Sequence, residues 1–283
     1  MQVILDEGFQ FGLGAFETVA VIKKRPVFLK EHLERLQRAE EFLGIRQQTE
    51  EREVYAYLKA HPIEYGALKI AVSGENKLLL PRENHYTEEV WRKGFLADFS
   101  EVRRNETSPF TYHKTMNYGD CILEKRRAAA AGLDERIFLN VRGEISEGTI
   151  SNIFFVRAGR LFTPEVSCGL LPGIMRSYIL EHYEVTETRI RPEELGAFEE
   201  CFVTNSLMGM MPVLRLGERI FEKRETADRM RETYLREYIT LPYHRIKEKS
   251  ERVCHEKETA DVMPLSSGAA GFSDGLRIEK GRR

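Results

Sequence analysis

The sequence predicts an α+β protein organised in two domains. Segments with apolar residues at helical spacing alternate with short apolar runs typical of strands, and both kinds occur in each half of the chain. A polar stretch that ends in proline, residues 103–109, is typical of a linker. We therefore expect a small N-terminal domain at 1–104, an interdomain linker at 105–112 and a larger second domain at 113–241. A length of 283 residues allows both domains a core of their own.

Composition narrows the functional classes. The chain is 42% hydrophobic and 31% charged, which is typical of a soluble globular protein. Its formal net charge of -2 gives no electrostatic reason to expect nucleic acid or a membrane surface as a partner. No run of about 18 apolar residues occurs, and the first residues lack the features of a signal peptide. The cysteines are widely separated, so we expect reduced cytoplasmic thiols rather than disulfides or a metal site; they are Cys121, Cys168, Cys201 and Cys254.

The expected elements of the first domain follow from spacing and glycines. A glycine pair, Gly12 and Gly14, precedes an apolar strand and predicts a tight turn, because the remaining glycine of a dinucleotide fingerprint is missing. Leucines at helical spacing between Leu29 and Leu43 predict a helix that ends at Gly44. Further expected elements are a helix at 50–58 and strands at 67–73, 78–80 and 95–99.

The second domain is expected to begin with a helix after Lys114 that ends near Gly132. Strands at 137–141 and 152–156 follow, and Pro172-Gly173 predicts the start of another helix. The remaining expected elements are a strand at 185–190, a short acidic helix around Glu193, a strand at 201–204 and a closing helix at 222–238. The residues after 241 lose this patterning, and we expect the tail at 242–283 to be disordered.

One segment, residues 113–176, combines three chemical features. Lys114 precedes a helix, Glu147 stands beside a glycine between two strands, and Gly173 opens a helix. Free N–H groups and the positive dipole end of that helix suit a phosphate. A lysine amine can bond to an aldehyde and shuttle protons, and a carboxylate can keep a ring nitrogen protonated. Together they predict a site for pyridoxal 5'-phosphate.

Three motifs of this segment resemble the fold-type IV pyridoxal phosphate family. They are the Lys114 segment, residues 147–154 and residues 171–176. The family includes branched-chain aminotransferases, D-amino acid aminotransferases and aminodeoxychorismate lyases, and residues 200–213 look most like the lyase branch. The resemblance runs from about residue 6 to about residue 213. It implies a small α/β two-layer N-terminal domain and a larger β-rich pseudo-barrel domain with flanking helices, which binds the cofactor.

The resemblance also implies roles for individual residues. Lys114 and Glu147 would be catalytic, as the lysine bonded to the cofactor and the partner of the ring nitrogen. Arg35 would hold the cofactor phosphate with its guanidinium fork, whereas His32 on the same helix is expected to be structural. Further cofactor contacts are expected from Tyr118, Gly173, Ile174, Met175 and Thr204.

Two expectations concern how these side chains are presented. We expect Tyr118 one helical turn after Lys114, on the same face, so that its hydroxyl reaches the phenolic oxygen of the cofactor. Ile174 and Met175 would contribute only their backbone N–H groups. Thr18 or Glu17 at one wall, and Asn205 at another, are expected to face the substrate.

As the resemblance implies, the expected activity is release of pyruvate from 4-amino-4-deoxychorismate to give 4-aminobenzoate, a folate precursor. One alternative is a class IV aminotransferase for branched-chain or D-amino acids, which uses the same lysine, glutamate and phosphate site. Another is a cofactor-binding protein without catalysis, against which the intact Lys114 and Glu147 argue. Family members are usually homodimers, so a homodimer that acts on a small molecule is expected.

Overall fold

The secondary structure is a mixture of helices and two sheets. The computed structural model describes residues 2–240, and the tail that the sequence predicts to be disordered lies outside the described residues. Within this range the helices are α1 (Glu7–Phe11), α2 (Leu29–Leu43), α3 (Glu51–Ala60), α4 (Glu88–Lys93), α5 (Gly119–Ala130), α6 (Ile174–His182) and α7 (Glu225–Tyr234). The strands are β1 (Ala15–Ile22), β2 (Arg25–Pro26), β3 (Tyr65–Val72), β4 (Lys77–Arg82), β5 (Phe95–Arg104), β6 (Glu135–Asn140), β7 (Ile145–Gly148), β8 (Asn152–Arg157), β9 (Arg160–Pro164), β10 (Val185–Thr188), β11 (Glu200–Asn205), β12 (Gly209–Leu216) and β13 (Arg219–Ile220).

The first sheet has the strand order β2-β1-β3-β4 and is antiparallel throughout. Successive side chains of a strand point to opposite faces, and in β1 both faces are used. Ala15, Val19 and Val21 pack against α2 and α3 in one core cluster. Phe16 and Thr18, which alternate with them, line a cavity on the other face. β1 therefore separates the helical layer from the candidate site.

The second sheet has the order β10-β9-β8-β11-β12-β5-β6-β7, with β13 paired to β12. It is mixed: β5 runs parallel to both of its neighbours, and the pairs around β8 and β11 are antiparallel. Helices α6 and α7 cover it through a core cluster that includes Phe154, Phe202, Ile179 and Met230. Two sheets with helices packed on them confirm the predicted α+β class.

One assignment from the sequence is wrong. Residues 95–104, expected in the N-terminal domain, form β5, which pairs with β12 and β6 of the second sheet. The chain therefore passes from the first sheet to the second between residues 82 and 95. The stretch predicted as a linker, 105–112, contains a single 3-10 turn at Pro109–Tyr112. The partners of β5 come from residues beyond 134, so local composition carries no sign of this pairing.

Most other predicted elements are present. α2 ends at Gly44, whose φ of 70° is the left-handed conformation favoured by glycine at a helix end. The closing helix is shorter than expected, because α7 ends at Tyr234 and the chain continues as a π-helix at Leu235–Thr240. The strand β12 was not predicted, since Gly209 and Pro212 argue against a strand from sequence alone.

Within residues 2–240, no helix is long and apolar enough to cross a membrane. The same residues contain no group of three or more His, Cys, Asp or Glu side chains placed to hold a metal ion. Cys121, Cys168 and Cys201 are free and buried, and Cys254 lies outside the described residues.

We predict that Phe154→Ala lowers the free energy of unfolding by about 3–5 kcal/mol, the usual range for removing a buried aromatic ring. Phe154 is fully buried and stacks on Phe202, with ring centroids 5.1 Å apart. Urea denaturation followed by circular dichroism measures the change. Ile220→Ala, at a side chain that is 60% exposed, is the control. A loss for Phe154→Ala no larger than the control's would contradict this account of the core.

Candidate active site

A cavity of about 430 Å³ lies where the two sheets meet, and side chains from both line it. β1 and β3 contribute Phe16, Thr18 and Lys69, and the end of β11 contributes Thr204 and Asn205. The structure places every residue predicted for the cofactor or the substrate in its lining, except Glu17. Those residues are Thr18, Arg35, Lys114, Tyr118, Glu147, Gly173, Ile174, Met175, Thr204 and Asn205.

Lys114 is held beside β1 by backbone hydrogen bonds. The N–H of Phe16 donates to the Lys114 carbonyl at 3.0 Å, and the N–H of Met116 donates to the Gly14 carbonyl at 2.7 Å. The segment from Lys114 to Tyr118 is extended, and α5 begins only at Gly119. The expectation that Tyr118 lies one helical turn after Lys114 is therefore wrong. The two side chains are neighbours all the same.

The Lys114 amine lies between two aromatic rings. Its Nζ is 4.7 Å from the centroid of the Phe16 ring and 4.9 Å from that of Tyr118. The two rings meet edge to face, with centroids 5.2 Å apart. Burial lowers the pKa of the Lys114 amine from its ordinary value of 10.5 to about 8, and the charge of Arg35 acts in the same direction. A substantial fraction of this amine is neutral, and so nucleophilic, at mildly alkaline pH.

Glu147 ends at the opposite side of the cavity, on β7. Its Oε1 lies 2.8 Å from Nη2 of Arg104, and its Oε2 accepts a hydrogen bond from the N–H of Leu171 at 3.1 Å. Burial raises the pKa of the Glu147 carboxyl above its ordinary value, and the charge of Arg104 is the largest opposing effect. Glu147 is thus a buried carboxylate with one cationic partner and one backbone donor.

The helix α6 points its N-terminus into the cavity. Its first N–H groups, which include those of Ile174 and Met175, have no acceptor within the helix, and no side chain of the described residues caps them. A Cβ at Gly173 would overlap the amide oxygen of Asn152. Glycine is therefore required for this close approach. Thr204 lines the same cavity, and its buried hydroxyl has no partner within residues 2–240.

Arg35 reaches this end of the cavity from α2. Its Nε and Nη2 donate to the two oxygens of Glu17 at 2.6 and 2.8 Å, and its Nη1 donates to the Pro172 carbonyl at 3.2 Å. His32 Nδ1 lies 2.6 Å from Glu17 Oε2. Burial alone would raise the pKa of Glu17, but Arg35 and then His32 hold it well below its ordinary value.

The expectation that Glu17 faces the substrate is wrong for a geometric reason. Alternation along β1 directs Thr18 to the cavity and Glu17 to the opposite face, against α2. His32 is fully buried on that face and does not line the cavity. Glu17 and His32 therefore lie behind Arg35 and hold its guanidinium group in place.

Four further residues at the site were not predicted from the sequence. Lys69 and Tyr86 line the cavity, Asn152 donates to the Leu171 carbonyl at 2.9 Å, and Arg104 pairs with Glu147. The signal for Lys69 was a lone charge in the apolar run 67–72. No comparable signal marks Arg104, because its polar surroundings in the sequence are typical of a linker.

Comparison with known proteins places the fold and the site in one family. A family model described as Amino-transferase class IV matches residues 14–216. The aminodeoxychorismate lyase of Bacillus subtilis (strain 168) is 27% identical over 236 residues, which cover 75% of this chain and 80% of that protein. The protein named as a probable branched-chain-amino-acid aminotransferase in Rickettsia conorii is 28% identical over 262 residues, with coverage of 82% and 89%.

A solved structure shows the same fold. The branched-chain amino acid aminotransferase of T.th., determined with pyridoxamine 5'-phosphate, superposes with a TM-score of 0.76 at 23% identity. The superposition covers 86% of this chain and 91% of that chain. The family model spans well over half of the sequence, and it includes every residue of the cavity named above. The chain therefore belongs to the class IV aminotransferase family, whose cofactor, pyridoxal 5'-phosphate, is also the cofactor of this protein.

Proposed function

We propose that this protein is a lyase that releases pyruvate from 4-amino-4-deoxychorismate and forms 4-aminobenzoate. The observation that carries the proposal is the position of residues 200–213, the segment most like the lyase branch of the family. It forms β11, the following turn and most of β12, and Thr204, Asn205, Ser206 and Leu207 from it line the cavity. The part of the chain with the lyase resemblance is thus a wall that a substrate would touch. The Bacillus subtilis lyase among the relatives supports the same activity.

The residues of the cavity fit the cofactor. A phosphate needs several donors at one end, and the first N–H groups of α6, the unpartnered hydroxyl of Thr204 and Arg35 supply them. Lys114 would bond to the aldehyde carbon, and Glu147 would accept a hydrogen bond from the protonated ring nitrogen. The Tyr118 hydroxyl now donates to the Thr149 carbonyl at 3.2 Å. It would turn from that carbonyl to reach the phenolic oxygen of the cofactor.

The proposed chemistry assigns proton transfer to one side chain. Pyridoxal phosphate, when bound, withdraws electrons from the substrate carbon that carries the nitrogen. Lys114, displaced by the substrate amine, is placed to accept the proton of that carbon in its neutral form. Loss of the enolpyruvyl group from the neighbouring carbon then leaves an aromatic ring, so the step is strongly downhill. Glu147 keeps the ring nitrogen protonated while charge accumulates.

Lys69 supports an anionic substrate. It stands opposite Thr18 in the β1–β3 pair, and its Nζ lies 4.5 Å from the Phe16 ring centroid. Burial, followed by the charge of Arg82, lowers the pKa of the Lys69 amine. Within residues 2–240 no carboxylate forms an ion pair with it. A carboxylate of the substrate would supply that partner, and we expect Thr18 and Asn205 to contact the substrate from the two sides.

A homodimer is part of the proposal. Phe9 and Phe11 of α1 are 74% and 64% exposed, which is unusual for phenylalanine on a monomer surface. They lie next to the site, because the Asn117 side chain donates to the Gly12 carbonyl at 3.0 Å, and Met116 lines the cavity. A second subunit that covers this surface would also border the cavity. We expect the enzyme to work in the cytoplasm.

We predict that attachment of the cofactor to the apoprotein accelerates as the pH rises through about 8. The pKa of Lys114 is lowered to about 8, so its reactive neutral form is already half populated there and is lost below it. Stopped-flow absorbance after mixing apoprotein with pyridoxal phosphate measures the rate. A small peptide with one lysine, titrating near the ordinary value of about 10.4, is the control for effects on the cofactor itself. A midpoint for the protein equal to that of the peptide would contradict the assigned environment.

We predict that the purified holoenzyme forms 4-aminobenzoate and pyruvate in equal amounts from 4-amino-4-deoxychorismate with no 2-oxo acid added. A lyase needs no amino acceptor, whereas an aminotransferase must return the amino group to a 2-oxo acid. Chromatography of the product and a coupled pyruvate assay follow the reaction. Activity only with a branched-chain or D-amino acid together with 2-oxoglutarate or pyruvate would show an aminotransferase instead. Absence of product from every amine would favour a protein without catalysis.

A further inference from the structure

Arg104 lies behind the carboxylate that faces the cavity. It is the last residue of β5, and its side chain is mostly buried. Its guanidinium carbon sits 4.4 Å from the centroid of the Phe138 ring, which is fully buried. The same nitrogen, Nη2, lies 2.8 Å from Glu147 Oε1 and 3.0 Å from the Cys121 sulfur. Arg104 does not line the cavity itself, so it acts on the site only through Glu147.

The surroundings of Glu147 otherwise disfavour its charge. The carboxyl is buried, and desolvation favours the protonated form of a carboxyl. Leu171 offers one neutral N–H. From the other elements packed around it, the ionisable groups are Lys114, Tyr118 and Cys121. Burial keeps the last two neutral by raising their pKa values, and Lys114 loses its charge near pH 8. Arg104 is the permanent positive charge in contact with Glu147.

We propose that Arg104 is a positioning residue that keeps Glu147 ionised and aimed at the cofactor ring nitrogen. A protonated Glu147 would be a donor facing a donor, and the ring nitrogen would lose its proton. The guanidinium takes one carboxylate oxygen and the Leu171 N–H takes the other, which fixes the plane of the carboxylate. Contact with Phe138 in turn fixes the guanidinium. This role rests on the cofactor assignment and not on which reaction follows.

The test uses Arg104→Gln and Arg104→Met, which both remove the charge. Methionine keeps the apolar contact with the Phe138 ring, so it provides a second neutral variant if glutamine impairs folding. In the apoprotein, the infrared C=O stretch of a protonated carboxyl reports on Glu147, and its absence in variants that also carry Glu147→Gln assigns it. We expect the pH midpoint of this band to rise by about one to three pH units, the usual effect of an adjacent opposite charge.

In the holoenzyme, ¹⁵N NMR of the labelled cofactor reads the ring nitrogen directly. We expect a protonated nitrogen in wild type and in Arg104→Lys, and an unprotonated one at neutral pH in both neutral variants. Arg103→Gln is the matched control, because Arg103 is the exposed neighbour on the same strand. It should behave as wild type.

Two results would overturn the proposal. One is a carboxyl midpoint in both neutral variants equal to that of wild type; the other is a ring nitrogen that stays protonated in both. Neither readout involves a substrate, so the outcome is independent of whether the enzyme proves to be a lyase or an aminotransferase. Thermal melting of each variant separates these effects from a general loss of structure.

Discussion

The site depends on one short turn, residues 171–173, which three side chains hold from different directions. Glu147 accepts the Leu171 N–H, Asn152 donates to the Leu171 carbonyl, and Arg35 donates to the Pro172 carbonyl. Glu147 and Asn152 belong to the second sheet, whereas Arg35 comes from a helix packed on the first. The turn sets the direction of α6, and therefore the position of its free N–H groups. The same contacts thus assemble the phosphate end and orient the carboxylate at the ring end.

Burial acts on the two principal side chains of the cavity in a related way. It lowers the pKa of the Lys114 amine and raises that of the Glu147 carboxyl, so it disfavours the charge of both. For the amine this is useful, because a neutral amine is the nucleophile and the base. For the carboxylate it is harmful, since the ring nitrogen requires an acceptor. Arg104 beside Glu147, with no equivalent carboxylate in contact with Lys114 in the described part of the chain, accounts for the difference.

The sequence predicted the site where its signals are local. Lys114, Glu147 and Gly173 stand in short motifs, and all three line the cavity. The prediction failed where the answer depends on distant strands. β5 was assigned to the wrong sheet because its partners lie far away in the chain, and Arg104 was missed with it. Glu17 faces the helices because of the alternation of β1, whose buried face is not evident when both faces are apolar. Tyr118 lies beside Lys114 through an extended segment rather than the helical turn expected.

The central claim is that Lys114, and not another amine of the cavity, carries the cofactor. Lys69 lines the same cavity and its pKa is also lowered, so it is the relevant competitor. The direct measurement is borohydride reduction of the holoenzyme followed by peptide mapping with mass spectrometry. Our account predicts the phosphopyridoxyl group on Lys114 alone, and no modified peptide after Lys114→Ala. Modification of Lys69, or an unmodified Lys114 in an enzyme that retains its cofactor, would contradict it.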